Sequence, residues 1–216
     1  MTKHKSLRIL SIIQNLYFHK IGNKFKPGTL KRLNSLFFIV FEKIAIYFEI
    51  FLFDYINIYK SLVNEEIKLA NISSNNSILV IGCGSIPSSC ILLAYETDAK
   101  VTGIDFDKKA VKKAKRLVEK LKLENKIKIT NSSGTDFPLE NFDIVIILYG
   151  VRNLINVFKH LSKDMKKNAK VTIRAPETFN PEDPEIKLII SNNFKQEDKK
   201  LSRAFGTLNL YLFKKI

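Results

Sequence analysis

The sequence predicts a doubly wound α/β fold, with a mostly parallel sheet of about seven strands and an N-terminal helical cap. Three observations predict it. A short apolar run, Ile78–Ile81, has the composition of a strand buried on both faces, and an apolar-periodic helix follows it. Two glycines, Gly82 and Gly84, stand between that strand and that helix. A second buried strand, Val101–Ile104, ends in Asp105, which completes a β-α-β unit suited to an adenosine-containing cofactor.

The turn and the acid of this unit each have a physical reason. Gly82 and Gly84 allow a tight turn and let the backbone approach a ligand where a side chain would collide. Pro87 suits the first turn of the helix, because its missing N–H would be unpaired there anyway. Asp105 stands at the carboxyl end of the second strand, where a carboxylate can accept both hydroxyls of a ribose. The alternative is that the glycines serve only a tight turn and Asp105 only a cap.

Size and charge limit the classes of function. At 216 residues the chain can bury one sizeable core with a smaller appendage. Its net charge is +15, from 36 basic and 21 acidic residues, so nucleic acid, an anionic membrane or an acidic substrate are candidate partners. Lysine far outnumbers arginine, whereas sites that read bases or clamp phosphates favour arginine. The composition therefore allows a nucleic acid as partner but does not favour it.

The few cysteines and histidines argue against a metal or disulfide framework. The only cysteines are Cys83, in the glycine turn, and Cys90, in the helix after it. The three histidines are scattered along the chain, so no metal site is expected. No apolar run with a small-residue cleavage site follows the basic N-terminus, and we expect no signal peptide. A cytoplasmic location fits these observations.

The N-terminal third is predicted to be a separate helical cap. Leu7–Tyr17 has the pattern of an amphipathic helix, and glycine and proline break it. Leu33–Tyr59 is rich in aromatic residues and is predicted to form one or two buried helices over the active-site edge, or against a second copy in a homodimer. Four charged residues interrupt it, so a membrane span is not expected, and peripheral membrane contact is not favoured. The polar segment Asn71–Ser77 separates a cap, residues 1–71, from a sheet domain, residues 72–216.

The remaining elements follow from local patterns. Asp107 can cap a helix that runs to about Lys122, whose lysines are interpreted as a solvated face. Further segments are predicted in this order: strand Ile127–Thr130, strand Phe142–Leu148, helix Val157–Leu161, strand Lys170–Arg174, a loop and helix from Asn180–Pro184, and Phe205–Lys214 as the last strand of an antiparallel pair.

The glycine turn, together with its strands and acid, resembles the class I, Rossmann-like S-adenosylmethionine-dependent methyltransferases. The resemblance runs from about Ile58 to the C-terminus. Within that superfamily, the run G-C-G-S-I-P at Gly82–Pro87, before a leucine-rich helix, is most similar to the nicotianamine synthase group. Members of that group transfer the aminocarboxypropyl group of the cofactor rather than its methyl group. The chain departs from the superfamily pattern at Val80 and Ser132, where acids are usual.

The resemblance implies S-adenosyl-L-methionine as cofactor and no metal. Its expected contacts are Gly82, Cys83, Gly84, Ile86, Asp105, Phe106, Ser132, Asp136 and Tyr149. Ser132 occupies the place of the usual adenine-binding acid. Asp136 either takes over the role of that acid from further along the loop or only closes the turn. Tyr149 either packs against the sulfonium cation or is simply a residue at a strand end.

Two further residues are candidates for handling the acceptor. In the nicotianamine synthase group a helix before the sheet carries a catalytic glutamate, and the run Leu62–Glu66 resembles it, with Glu66 the better match. A carboxylate there can orient or deprotonate an amine, unless Glu66 belongs to a solvated helix face. Arg174, at the end of the fifth predicted strand, can clamp a substrate carboxylate with both arms of its guanidinium.

These features predict an S-adenosylmethionine-dependent transferase, with methyl transfer to a small-molecule acceptor as the leading reaction. Aminocarboxypropyl transfer to an amine is the first alternative, because of the glycine turn and Glu66. An RNA methyltransferase is the second, because of the basic surface. A module that has kept the fold and lost the chemistry is the third, because Val80 and Ser132 replace the usual acids.

Overall fold

The computed structural model describes residues 49–151, 153–176, 184–202 and 208–216. The chain divides into two compact units, residues 1–59 and residues 60–216. In the first unit the described part is helix α1, Glu49–Ile58. Tyr59 follows the helix, and its hydroxyl lies 3.2 Å from that of Tyr55 in the helix, with the two rings edge to face. The predicted helix Leu7–Tyr17, its glycine break and most of the aromatic-rich stretch lie outside the described residues. No helix within the described ranges is long and apolar enough to cross a membrane.

The second unit consists of one sheet and the helices that cover it. The helices are α2 (Lys60–Ala70), α3 (Ser88–Thr97), α4 (Lys108–Lys120), α5 (Leu154–Asp164) and α6 (Pro184–Asn193). The strands are β1 (Ser77–Ile81), β2 (Lys100–Asp105), β3 (Ile127–Asn131), β4 (Ile144–Ile147), β5 (Lys170–Pro176), β6 (Phe194–Ser202) and β7 (Leu208–Lys215). The predicted boundary after residue 71 assigns α2 to the cap, whereas its contacts are with α3 and with β5, β6 and β7. The division into a cap and a sheet domain stays a prediction.

The strands form one seven-stranded sheet in the order β3-β2-β1-β4-β5-β7-β6 across the described part of the chain. The first five strands of that order run parallel, and β7 runs antiparallel to both β5 and β6. The order reverses beside β1, because β2 pairs with one side of it and β4 with the other. This arrangement confirms the predicted doubly wound, mostly parallel α/β fold, and it opens a crevice at the carboxyl ends of the strands next to β1.

Two layers of helices bury the two faces of the sheet. One face packs against α5 and α6, and its cluster includes Leu79, Val145, Phe158, Ile173 and Phe213, all of them almost completely buried. On the other face Leu62 of α2 packs with Leu210 of β7. The central strands are apolar at almost every position because both faces are covered, which is why the sequence shows continuous apolar runs rather than alternation.

Some elements differ in length from their predicted bounds. β4 is shorter than Phe142–Leu148, because the chain turns before it through the bond from Phe142 N–H to Leu139 O and again after it at Leu148. β5 extends to Pro176, past Arg174, because it pairs with β7 as far as Leu208. α5 begins at Leu154 and ends at Asp164, so it is longer than predicted at both ends.

Candidate functional site

The glycine turn after β1 has the backbone conformation that the sequence predicts. Gly82 and Gly84 have φ values of +84° and +71°, in the left-handed region that favours glycine. The N–H groups of Gly82 and Cys83 both donate to the carbonyl oxygen of Ile104, at 2.8 and 3.0 Å. A Cβ atom on Gly82 would lie 2.8 Å from Cγ2 of Val151. The turn therefore needs glycine at residue 82 for both its conformation and its space.

The Asp105 carboxylate is held against this turn by two backbone groups. Its Oδ2 accepts the N–H of Gly84 at 2.9 Å, and its Oδ1 accepts the N–H of Asp107 at 2.9 Å. A carboxylate has about four lone-pair sites, so acceptor capacity for two hydroxyl groups is left. Asp107 in turn caps α4, since its side chain accepts the N–H of Lys109 at 2.8 Å. Phe106, between the two acids, is 73% exposed at the same edge.

The loop after β3 lies beside Asp105. The N–H of Ser132 donates to the carbonyl oxygen of Asp105 at 3.1 Å, and Ser132 Oγ donates to Asp136 Oδ1 at 3.2 Å. The structure thus brings Ser132 and Asp136 together at the edge where both are predicted to act. The Asn131 side-chain amide donates to the carbonyl oxygens of Asp105 and Phe106. The sequence interpretation missed Asn131, although an amide that ends the strand next to the acid-bearing strand is a signal for it.

The other predicted cofactor contacts divide into buried and exposed residues. Cys83 and Ile86 are each 4% exposed, so their side chains pack inside and mainly their backbone is left for a ligand. Burial raises the pKa of the Cys83 thiol, and the charges of Cys90 and Asp105 raise it further, so the thiol is neutral near pH 7. Tyr149, by contrast, is 43% exposed just after β4, and Gly150 follows it with φ +97°.

Ser88 is a further polar group at the turn that the sequence interpretation missed. It is the first residue of α3, it is 5% exposed, and its Oγ has no hydrogen-bond partner among the residues that the structure describes. A buried hydroxyl without a partner is costly, so this atom has unused capacity to bind a polar group. Its signal in the sequence is a serine directly after Pro87 at the start of a helix.

Glu66 and Arg174, the two candidates for acceptor handling, contact each other. Arg174 Nε donates to Glu66 Oε1 at 2.8 Å, and Arg174 Nη2 donates to Glu66 Oε2 at 2.6 Å. Glu66 is fully buried and Arg174 is 4% exposed, which excludes a solvated face as the setting of Glu66. In this structure the guanidinium of Arg174 therefore binds the carboxylate of Glu66, whereas the sequence predicts that it binds the carboxylate of a substrate. Burial raises the pKa of the nearby Cys90 thiol to about 12, although the charge of Arg174 lowers it.

The register of the sheet places this ion pair at the same edge as the glycine turn. Ile81 pairs with Ile147, and Ile147 pairs with Ile173, so Arg174 lies one residue beyond this row of paired strand residues. Gly82 also lies one residue beyond it. Two strand spacings, about 10 Å, separate β1 from β5. The edge therefore combines a turn that suits an adenosine-containing ligand with a buried carboxylate at a distance that suits the far end of such a ligand.

The sheet order, the antiparallel last strands and the glycine turn define a methyltransferase-type α/β domain. A family model described as a methyltransferase domain matches residues 72–208, and the chain belongs to that family. This confirms the predicted superfamily, the class I, Rossmann-like S-adenosylmethionine-dependent methyltransferases.

The proteins that are similar to this chain include two curated relatives and a nicotianamine synthase of known structure. It is 27% identical over 97 residues to L-histidine 2-aminobutanoyltransferase of Yersinia pestis, covering 44% of this chain and 37% of that protein. It is 27% identical over 119 residues to demethylmenaquinone methyltransferase of Bacillus mycoides, covering 52% of this chain and 50% of that protein. The chain thus matches half or less of the length of these relatives.

The solved structure is that of the nicotianamine synthase MtNAS in complex with MTA and tNA. It has a TM-score of 0.64 and 16% identity, and the match covers 74% of this chain and 61% of that one. A mutant of MtNAS in complex with S-adenosylmethionine matches with a TM-score of 0.64 and 15% identity, over 82% of this chain and 66% of that one. At these identities the likeness shows the shared fold.

Proposed function

We propose that this protein is an S-adenosylmethionine-dependent transferase with a small-molecule acceptor, and that methyl transfer is its reaction. The observation that carries this proposal is the edge where the Gly82–Gly84 turn, the Asp105 carboxylate and the Ser132–Asp136 contact lie together. Membership of the methyltransferase-domain family supports this proposal. The name of one relative, demethylmenaquinone methyltransferase, also supports it, because that name gives a small molecule as the acceptor.

The residues at this edge fit an adenosine-containing cofactor. The left-handed turn presents backbone without side chains at Gly82 and Gly84, and Asp105 keeps acceptor capacity for the two ribose hydroxyls. Phe106 offers an exposed ring for the flat base, and Ser132 with Asp136 offers polar atoms for its edge. S-Adenosylmethionine, when bound, supplies a carbon that its sulfonium makes electrophilic. The task left to the chain is to align a nucleophile with that carbon and to exclude water.

A second candidate is transfer of the aminocarboxypropyl group to an amine, and the Glu66–Arg174 pair favours it. We call the edge formed by the Gly82–Gly84 turn, Asp105 and the Ser132–Asp136 contact the cofactor edge. A buried carboxylate at this edge can accept a hydrogen bond, and then a proton, from an amine as the new N–C bond forms. Arg174 would orient that carboxylate by engaging one lone pair on each oxygen. The names of two similar proteins, an L-histidine 2-aminobutanoyltransferase and a nicotianamine synthase, support this alternative.

The nucleoside product separates the two candidates. Methyl transfer converts the cofactor into S-adenosylhomocysteine, whereas aminocarboxypropyl transfer leaves methylthioadenosine, and in both the acceptor loses one proton. The purified protein would be incubated with S-adenosylmethionine and a metabolite extract, and the products identified by mass spectrometry. Gly84→Asp puts a side chain into the turn and is the control variant that should not bind the cofactor. Glu66→Gln removes the carboxylate and tests whether Glu66 acts on the acceptor.

We expect S-adenosylhomocysteine to accumulate above the Gly84→Asp control. Methylthioadenosine instead would establish the second candidate and would make Glu66 the leading catalytic residue. If calorimetry detects binding of neither S-adenosylmethionine nor S-adenosylhomocysteine, the proposal is wrong and a non-catalytic module is the better description. A cytoplasmic location belongs to the same proposal and is supported by the two free cysteines, Cys83 and Cys90.

A further inference from the structure

The proposed reaction does not use a strongly basic segment that begins next to the cofactor edge. Between Asp107 and Lys128 ten side chains are basic and three are acidic. Residues 1–48 carry nine basic and one acidic side chain, and the rest of the sequence is balanced, with seventeen of each. Within the sheet-containing unit the positive charge is thus concentrated on α4 and the turn and strand that follow it.

Six exposed side chains of α4 form what we call the basic face: Lys108, Lys109, Lys112, Lys113, Lys115 and Arg116. The opposite side of the helix is apolar and packs into the core, with Val111, Ala114 and Val118 buried. At a rise of 1.5 Å per residue, the basic face extends over about 12 Å of helix.

The arrangement of these charges is unfavourable for the helix by itself. The helix has no acidic residue in its first turn, so two lysines lie at the positive end of the helix dipole. Lys108 and Lys112, and likewise Lys109 and Lys113, are four residues apart, a spacing at which like charges repel. Asp107 at the N-cap offsets part of this charge. The repulsion between lysines four residues apart is left, and a local rule that a helix breaks in this way points to a role in binding.

No carboxylate of the described residues neutralises the basic face. None of its six side chains forms an ion pair with a described acid. Other lysines of the same unit are paired: Lys126 with Asp98, and Lys60 with Glu96. The six side chains of the basic face are therefore without an ion pair among the described residues, in contrast to Lys126 and Lys60.

We propose that the basic face binds the phosphate backbone of a nucleic acid. Lysine contacts a phosphate as a point charge and does not read bases, so this binding is independent of sequence and sensitive to salt. A lipid surface fits less well, because the apolar side chains of α4 are buried in the core, and a polybasic patch without an apolar anchor holds a membrane weakly. α4 begins three residues after Asp105, so a bound strand would pass close to the cofactor edge.

The test uses the full-length protein and two matched triple variants. One removes three charges of the basic face (Lys109→Gln, Lys113→Gln, Arg116→Gln). The other removes three exposed lysines elsewhere (Lys163→Gln, Lys195→Gln, Lys200→Gln), so the net charge is the same in both. Binding of a fluorescein-labelled RNA of about 30 nucleotides is measured by anisotropy between about 50 and 200 mM salt. Thermal unfolding shows that each variant is folded.

We expect the basic-face variant to bind RNA roughly tenfold or more weakly at about 100 mM salt, with a slope of log affinity against log salt that is smaller by about 2. The control variant should change binding by much less. Equal losses in the two variants would mean that net charge, and not this face, attracts RNA, and would overturn the proposal. So would the absence of RNA binding at about 50 mM salt, or binding to vesicles that contain phosphatidylserine but not to RNA. Because none of these measurements uses S-adenosylmethionine, their failure is distinct from failure of the transferase.

Discussion

Glu66 and Arg174 lie 108 residues apart in the sequence and form a bidentate ion pair inside the protein. One residue comes from α2 and the other from β5, so the pair connects a helix that precedes the sheet to the strand two positions from the glycine turn. A buried ion pair of this kind is weak evidence for stability, but its two hydrogen bonds fix how the carboxylate and the guanidinium lie relative to each other. The pair therefore gives the acceptor side of the candidate site a defined geometry.

Removing one partner of this pair should be far more damaging than removing both. Arg174→Met leaves the Glu66 carboxylate buried without a counter-charge, and we expect the free energy of unfolding to fall by about 3–5 kcal/mol. Adding Glu66→Gln should recover part of that loss. The measurement is urea unfolding of the two single variants and the double variant. Lys159→Met breaks an exposed pair with Glu185 and should cost less than about 1 kcal/mol. A cost that small for Arg174→Met would contradict the buried pair.

Gly82→Ala should impair both folding and cofactor binding. The alanine would have to keep the left-handed backbone conformation of Gly82, which is strained for any residue with a Cβ atom. Its methyl group would also lie 2.8 Å from Cγ2 of Val151. Gly150→Ala is the matched control, since Gly150 also has a positive φ but open space around its Cβ position. Both variants should lose about 1–2 kcal/mol of stability to backbone strain, and Gly82→Ala should lose more through the clash. Thermal unfolding would measure the loss of stability, and calorimetric titration with S-adenosylhomocysteine would measure the loss of binding. Equal effects of the two substitutions would rule out a role for the contact with Val151.

Asp105→Asn should weaken S-adenosylhomocysteine binding by about tenfold to a hundredfold, the range for hydrogen bonds to a charged group. The amide keeps only one acceptor oxygen, so its NH2 group must face a backbone N–H, of Gly84 or Asp107, or take the place of an acceptor for a ribose hydroxyl. Asp107→Asn is the control, because asparagine caps a helix as well as aspartate does and the α4 cap should persist. Calorimetry would measure both affinities. A loss in Asp107→Asn as large as in Asp105→Asn would indicate that the loop, and not the carboxylate, binds the cofactor.

Asp143 should make the stability of the fold sensitive to acid. Partial burial raises its pKa, but hydrogen bonds from Lys166 and from the N–H of Ser77, with the charge of Lys166, outweigh burial and hold the pKa below its ordinary value. Because this pKa is lower in the folded than in the unfolded chain, the stabilisation is complete above the unfolded value. It is lost as the pH falls through the folded value.

The measurement for Asp143 is the free energy of unfolding in urea between about pH 5 and pH 2. Wild type should lose more stability over this range than Asp143→Asn, which does not titrate. Glu140→Gln, an exposed control, should follow the wild-type curve. Parallel curves for wild type and Asp143→Asn would show that the carboxylate makes no linked contribution.

The fold and the cofactor edge could be predicted well because their signals are local. The apolar run Ile78–Ile81, the two glycines and Asp105 lie within one β-α-β unit, and each follows from the conformation of a few neighbouring residues. The end of β5, by contrast, is set by hydrogen bonds to residues of β7, a strand far along the chain. The strand propensity and the hydrophobic pattern of a segment do not reveal which distant residues it will pair with.

The sequence by itself thus determined the class of fold, the glycine turn and the acid that faces it, since these depend on backbone conformation and on periodic burial. Only the tertiary structure decided that Arg174 pairs with Glu66, that Ser88 has a buried hydroxyl without a partner within the described chain, and that the six side chains of the basic face are exposed and form no ion pair with a described acid. The physical reason is that pairing, burial and charge compensation depend on what the folded sheet brings together, and sequence spacing says nothing about contacts that are a hundred residues apart.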